Sequence, residues 1–213
     1  MKRFKLLFLT ITLIFSSLLF AAGGSKEDAA SGGGFKERAP TAAPLPEKTP
    51  PIAADFDQDA WLDNMNKNLQ KKHPDLSLNI EKTTANGYPK ITFSLQKKGI
   101  SDIIANARVW VCCEFKLLTV FTETHTKFQR KHLNVYLRAV IVHYFHSNTT
   151  TRDFRLMSEI YNPVSGMALR KYFKIDKVAK GQNELLYLKL HENIEKAEIL
   201  LTKYPDSIAS QEL

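Results

Sequence analysis

The chain has little cysteine, and the two cysteines it has are neighbours, Cys112 and Cys113. Adjacent residues of a strand point to opposite faces, so these thiols cannot join in an ordinary disulfide without distorting the strand. The folded part must therefore be stable through packing alone. We expect one thiol in the core and Cys112 on a mixed face, where it could link two copies as a homodimer. No cysteine lies directly after the apolar run at the N-terminus, which argues against a lipid anchor.

The sequence also lacks motifs that identify a reaction. Ser165-Gly166 has no glycine ahead of it as in a hydrolase elbow, and no glycine-rich phosphate loop lies outside the N-terminal region. His143 and His146 are three apart in a predicted strand, so they cannot close on one metal ion. We therefore predict no catalytic residue, cofactor or metal, and the sequence favours a protein that is not an enzyme. A carboxylate pair from Glu114, Glu123 and Glu159 could meet only through the fold.

What is present begins with an export signal. Three basic residues within the first five precede an apolar run over residues 6–22, and small residues follow it. Residues 1–23 are predicted to be a signal peptide or an N-terminal membrane anchor. The location predicted is extracytoplasmic, either periplasmic or secreted after cleavage, or held in the inner membrane by residues 6–22.

Residues 24–54 are rich in Gly, Ala and Pro, and they contain five prolines between positions 40 and 51. Such a composition cannot build a core, so this segment is predicted to be a flexible linker. The remaining residues, 55–213, have the usual length of one domain and are predicted to form a single extracytoplasmic domain.

Helical spacing of apolar residues appears at both ends of this domain. Acidic residues at 55, 57 and 59 precede a stripe from Trp61 to Leu69, which predicts a first helix that ends at His73-Pro74. A second stripe runs from Leu186 to Tyr204 and predicts a last helix that ends at Pro205.

Between the helices, apolar residues alternate with a period of two. Residues 76–80 and 91–95 flank an Asn86-Gly87 turn signal and predict a hairpin. Further strands are predicted over 109–121, 133–145, 154–160 and 167–173, with a turn at 162–166. The fold predicted is α+β, with an N-terminal helix, a strongly curved antiparallel sheet of about six strands and a C-terminal helix.

Charge is the remaining signal. The chain carries a net charge of +8, and residues 127–180 contain eleven Lys and Arg against three acidic residues. This asymmetry favours an anionic partner, although a solvated sheet face would have the same composition. The predicted partner-binding residues are Lys127, Arg130, Lys131, Arg138, Arg152, Arg155, Arg170 and Lys171. Nucleic acid is not expected as a partner, because export argues against it.

Two hypotheses for function follow. The first is a non-enzymatic binding or assembly domain of the cell envelope, which holds a protein partner or an anionic envelope surface through its basic face or a free strand edge. The alternative is a periplasmic or secreted ligand-binding or enzymatic pocket inside the curved sheet, or a secreted effector. The predicted pocket-lining residues are Trp110, Tyr136, His143 and Tyr144.

Overall fold

One seven-stranded sheet organises the computed structural model, which describes residues 55–85, 87–99, 103–129, 132–180 and 182–209. The elements are, in chain order, α1 (Gln58–Gln70), β1 (Leu76–Ala85), β2 (Tyr88–Lys97), β3 (Ile103–Cys112), β4 (Leu117–Thr124), a 3-10 turn (Thr126–Phe128), α2 (Leu133–Ser147), β5 (Arg155–Ile160), α3 (Pro163–Tyr172), β6 (Lys177–Lys180), β7 (Glu184–Lys189) and α4 (Ile194–Ala209).

The strands lie in the order β1-β2-β3-β4-β5-β7-β6. Every neighbouring pair is antiparallel except β4 and β5, which run parallel and are connected through α2. A parallel pair needs a crossover of this kind, because the chain must return to the same end of the sheet. The fold is a mixed α+β arrangement with an open sheet. The predicted α+β class is confirmed, the sheet has seven strands where about six were predicted, and the prediction of a wholly antiparallel sheet is wrong in one pairing.

The first helix and the hairpin are confirmed. The side chain of Asp57 caps α1 by accepting from the N–H of Ala60 at 2.9 Å, as expected of an acidic N-cap. β1 and β2 pair along their whole length, and Ala85 faces Tyr88 across a two-residue turn in which Gly87 has a φ of 75°. Strong local signals therefore placed both elements correctly.

The predicted strand over 133–145 is wrong, because these residues form the helix α2. Eleven of its fifteen residues are buried, so the run is apolar on nearly every side and carries no clear period. A continuous apolar run cannot be assigned by periodicity, and its length favours a helix over a strand. Apolar residues fall at every second position of this run because most of its positions are apolar.

Three further boundaries differ from the prediction. Residues 167–173 belong to α3, whose cap is Asn162 and whose first turn holds Pro163, so the predicted turn is a helix start. The run 109–121 breaks at a turn over 113–116. Leu186 lies in β7, and α4 continues past Pro205 to Ala209.

The prediction of one thiol in the core is wrong. Cys113 is exposed in the turn over 113–116 and Cys112 is half-buried, so neither thiol lies in the core.

Helix α1 docks on α2 through polar contacts as well as apolar packing. The indole N–H of Trp61 donates to Nδ1 of His143 at 3.0 Å, and the hydroxyl of Tyr144 donates to Gln58 at 2.8 Å. Phe93 from β2 packs edge-on against Tyr144. The contact between the two helices therefore needs His143 to be neutral at Nδ1.

Within the described residues, no helix is long and apolar enough to cross a membrane. The predicted signal or anchor over 1–23, the linker over 24–54 and Asn86 lie outside the described residues.

We expect acid to weaken the docking of α1. Burial lowers the pKa of His143, the nearby His146 also lowers it, and Glu198 on α4 opposes them. The unfolded chain therefore takes up a proton that the folded chain resists, so stability should fall as the pH drops below about 6.5. Urea unfolding at pH 7.5 and 5.5 should show a smaller loss in His143→Asn than in the wild type. His125→Asn, at an exposed turn, is the control and should keep the full loss; equal losses in all three would contradict this assignment.

Candidate functional site

The parallel strands β4 and β5 separate before either of them ends. Among the described residues, only Leu117–Val120 of β4 pair with Arg155–Ser158 of β5. Beyond that point β4 continues to Thr124 against β3, and β5 continues to Ile160 against β7. Within the part of the chain that the structure describes, the last residues of both strands therefore pair on their outer sides only. An opening results between the carboxyl ends of two adjacent parallel strands, where open α/β sheets bind their ligands.

Helix α2 begins beside this opening. Its N-cap residue, His132, has a left-handed φ of 55° and makes no capping hydrogen bond through its side chain. Val135 and Tyr136 are bonded to the His132 carbonyl, so the N–H groups of Leu133 and Asn134 precede the helical hydrogen bonds. Together with the helix dipole they give this end a partial positive charge. Lys127 lies exposed in the turn just before it.

Arg138 projects from the second turn of α2 and bridges the two separating strands. Its Nη1 donates to Oγ1 of Thr122 on β4 at 2.9 Å, and its Nε donates to Oγ of Ser158 on β5 at 3.3 Å. Nη1 also lies 3.4 Å from the carbonyl of Asn134. The side chain is only 3% exposed, and burial lowers the pKa of the guanidinium to about 10.

No carboxylate among the described residues pairs with Arg138, whose partners are three neutral oxygens. A buried charge is costly unless an opposite charge balances it. The opening therefore contains a fixed positive charge that is held in place but not neutralised by the described part of the chain.

Aromatic rings line the other face of the opening. Strand alternation places Phe121 on the face opposite Thr122 and hence opposite Arg138. The ring of Phe121 lies 5.9 Å from that of Tyr161, which directly follows β5. The guanidinium of Arg108 stacks on Phe121 at 4.9 Å and pairs with Glu123 at 2.8 Å.

A carboxylate stands next to these rings. Glu159 accepts from the Tyr161 hydroxyl at 2.6 Å and from the side-chain amide of Asn183 at 2.9 Å. Desolvation, and then the bond to Glu159 and its charge, raise the pKa of Tyr161 to about 12. Tyr161 therefore stays a hydrogen-bond donor at neutral pH, and the carboxylate is held in one orientation by two donors.

A pocket of about 400 Å³ adjoins this carboxylate cluster. It is bounded by Tyr161 and by residues of α3 and β7, among which Arg170 and Glu184 form an ion pair at 2.5 Å. The bond between them lowers the pKa of Glu184 and raises that of Arg170. The remaining lining residues are Ile160, Pro163, Met167, Gln182 and Asn183.

The predicted partner-binding residues do not behave as one basic face. Arg138 is buried, Arg155 pairs with Asp176 at 3.7 Å, and Arg170 pairs with Glu184. Lys171 lies 5.3 Å from the ring of Tyr172. Lys127 and Arg152 are exposed, and Arg130 and Lys131 lie outside the described residues.

The four predicted pocket-lining residues are not brought together. Tyr136 and Tyr144 are fully buried in α2, and His143 is half-buried against Trp61 of α1. Trp110 points to the other face of the sheet, since it alternates with the buried Val109 and Val111. They were grouped on the assumption that 133–145 was a strand, and a helix directs its side chains differently.

Thr122, Ser158 and Tyr161 were not singled out from the sequence. A signal was available for two members of the site. Ser158 is the polar residue on a strand face that otherwise carries Phe154, Leu156 and Ile160, and Arg138 is the charge inside an apolar run. A polar residue on a buried face is more informative than an exposed apolar one.

No protein-family model matches the chain, and no curated protein matches it. Solved structures do match, and they are named as acetyltransferases. The spermidine/spermine N-acetyltransferase SpeG from Vibrio cholerae matches with 9% identity and a TM-score of 0.44, over 59% of this chain and 98% of that one. A protein assigned as an acetyltransferase from T. thermophilus matches with 13% identity and a TM-score of 0.41, over 53% of this chain. The chain spans 64% of that protein's length.

The matched structures are enzymes, and against that finding the prediction of a non-enzymatic envelope binding or assembly domain is wrong. The lean towards a non-enzyme is wrong for the same reason. The alternative of a periplasmic or secreted pocket protein or effector gains no support from these matches either, nor does the description of the chain as an envelope, secreted or protein-binding molecule. Extracytoplasmic location and a homodimer through Cys112 stay predictions.

Arg138→Met should not destabilise the fold. Methionine fills a similar volume without a buried charge, so we expect the free energy of unfolding to stay equal or to rise by about 1–3 kcal/mol. Urea unfolding followed by circular dichroism measures this. Arg152→Met, at an exposed arginine, is the control and should change stability by less than about 0.5 kcal/mol. A clear loss in Arg138→Met would mean that its hydrogen bonds hold the strands together.

Proposed function

We propose that this chain is an acyltransferase that takes an acyl group from a phosphate-bearing thioester, an acyl-coenzyme A, and passes it to an amine or hydroxyl acceptor. The observation that carries the proposal is the opening between β4 and β5, with the start of α2 beside it and the unbalanced charge of Arg138 at its inner end. Acetyl transfer, for which the matched enzymes are named, is the simplest reaction of this class.

The donor fits the opening in two respects. Where β4 has left β5, its main-chain groups over Phe121–Thr124 have no ladder partner on that side among the described residues, and an extended ligand that contains amides can supply one, as an added strand does. The phosphates of the donor suit the start of α2, where N–H groups, the helix dipole and Lys127 attract anions. In the sequence, Arg130 and Lys131 also precede this helix directly.

The chemistry requires a proton acceptor near the thioester. The lone pair of the acceptor nitrogen or oxygen attacks the carbonyl carbon, the bond between carbon and sulfur breaks, and the electron pair leaves with sulfur. The proton lost by the nucleophile passes to the Glu159 carboxylate and finally to the sulfur, which leaves as a thiol. Tyr161 and Asn183 orient Glu159, and the adjoining pocket offers room for the acceptor.

Donor binding is the first test. Isothermal titration of the purified full chain should give a dissociation constant for coenzyme A in the range of about 1 μM to 1 mM, which is typical of enzyme substrates. Pantetheine, which lacks the phosphates, should bind more weakly than coenzyme A. Lys127→Met should reduce this difference in affinity between the two ligands. An absence of binding by both coenzyme A and acetyl-coenzyme A would overturn the proposal.

The role of Glu159 is tested separately. Glu159→Gln keeps the shape of the side chain but removes its basicity, so the rate of transfer should fall about 10²–10⁴-fold while coenzyme A binding stays unchanged. The assay measures thiol release from acetyl-coenzyme A with spermidine, the acceptor for which SpeG is named, or with a lysine-containing peptide. Glu195→Gln on the exposed side of α4 is the control. A rate equal to the wild type in Glu159→Gln would remove Glu159 from the mechanism.

A further inference from the structure

We infer that the acyl group this chain transfers carries a carboxylate of its own, and that this carboxylate pairs with Arg138. The inference rests on the proposed function and specifies the donor. Arg138 is a buried charge in the opening for which the described residues provide no opposite charge. An acetyl group is neutral and would leave that charge unbalanced.

The guanidinium of Arg138 is held in a fixed orientation, but part of its hydrogen-bonding capacity has no partner among the described residues. Its Nε and Nη1 donate to Ser158 and Thr122, one on each separating strand. Nη2 donates to no described residue, yet it is not among the polar atoms that are sealed from solvent without a partner, which are Asn106 Oδ1 and Arg108 Nε. Nη2 therefore keeps contact with solvent, although the side chain as a whole is only 3% exposed. The N–H groups that stay available suit a planar carboxylate, which guanidinium groups bind in plane.

The position of Arg138 favours an acyl carboxylate over the donor's phosphates. Its partner Ser158 is the last residue at which β5 pairs with β4, so the guanidinium lies at the inner end of the opening. Phosphates are large and strongly hydrated, and the exposed start of α2 with Lys127 provides a better place for them. The acyl group is the part of the donor that reaches farthest from its phosphates. A carboxylate on that group would meet Arg138 in a site with little water, where a charge pair is strong.

The carboxylate also explains why an arginine is tolerated here. A buried charge that is balanced only when substrate is bound discriminates between donors, because the wrong donor leaves the charge desolvated without a partner. Thr122 and Ser158 provide enough hydrogen bonding to keep the empty site folded. Arg138 is in this view a specificity residue, while Glu159 handles the proton.

The experiment compares succinyl-coenzyme A with acetyl-coenzyme A. Isothermal titration of the full-length chain should give an affinity for succinyl-coenzyme A at least about tenfold higher, since a charge-assisted bond is worth that much or more. Arg138→Met should lower the affinity for succinyl-coenzyme A about tenfold or more and change that for acetyl-coenzyme A by less than about threefold. Lys127 lies next to the predicted phosphate site, so Lys127→Met should lower the affinity for both donors by the same factor.

The outcomes separate the inference from the function on which it rests. Wild-type affinity for acetyl-coenzyme A that equals or exceeds that for succinyl-coenzyme A overturns the inference and leaves acyl transfer in place. A preference for succinyl-coenzyme A that survives in Arg138→Met also overturns it, because another group then reads the carboxylate. If neither donor nor coenzyme A binds, the proposed function fails and the inference fails with it. The wild-type comparison needs no variant, so misfolding of Arg138→Met cannot obscure the result.

Discussion

The burial of α2 is the constraint on which the rest of the structure depends. This helix is covered on nearly all sides, with the sheet below it, α4 against it and α1 joined to it through the side chains of His143 and Tyr144. A helix so apolar must be enclosed, and the chain encloses it by connecting β4 to β5 through it. The parallel pair in a sheet that is otherwise antiparallel follows from that connection.

The same helix creates the site. Its first turn lies at the carboxyl ends of β4 and β5, and its second turn sends Arg138 between them. Because the guanidinium bonds to a hydroxyl on each strand at the point of separation, the charge and the opening form one feature. On the far face, Phe121, Tyr161 and Glu159 complete it from the strands alone. Two layers therefore contribute different chemistry to one place: a charge from the helix, and rings and a carboxylate from the sheet.

Prediction from the sequence succeeded where the signal was local. The caps and spacing of α1, the two-residue turn after β1 and the alternation in β5 each depend on residues within a few positions of one another. It failed for α2 and α3, because α2 is too apolar to show a period, and α3 begins with an Asn-Pro pair that was interpreted as a turn. Because α2 is a helix, Tyr136 and Tyr144 lie buried in it and His143 contacts Trp61 of α1, so these residues do not line a sheet surface as predicted.

Residue patterns alone indicate that the fold rests on packing without an ordinary disulfide, that it combines helices with strands, and where the strongest local elements lie. Three members of the site were also visible in the sequence. Arg138 is a charge inside an apolar run, Ser158 is a polar residue on an apolar strand face, and Glu159 is one of the candidate carboxylates. The three-dimensional arrangement was needed to see that Thr122 and Ser158 accept from the same guanidinium and that Glu159 accepts from Tyr161 and Asn183. The reason is physical: these contacts depend on which strands pair and where their pairing ends, which is determined by how the whole chain buries α2.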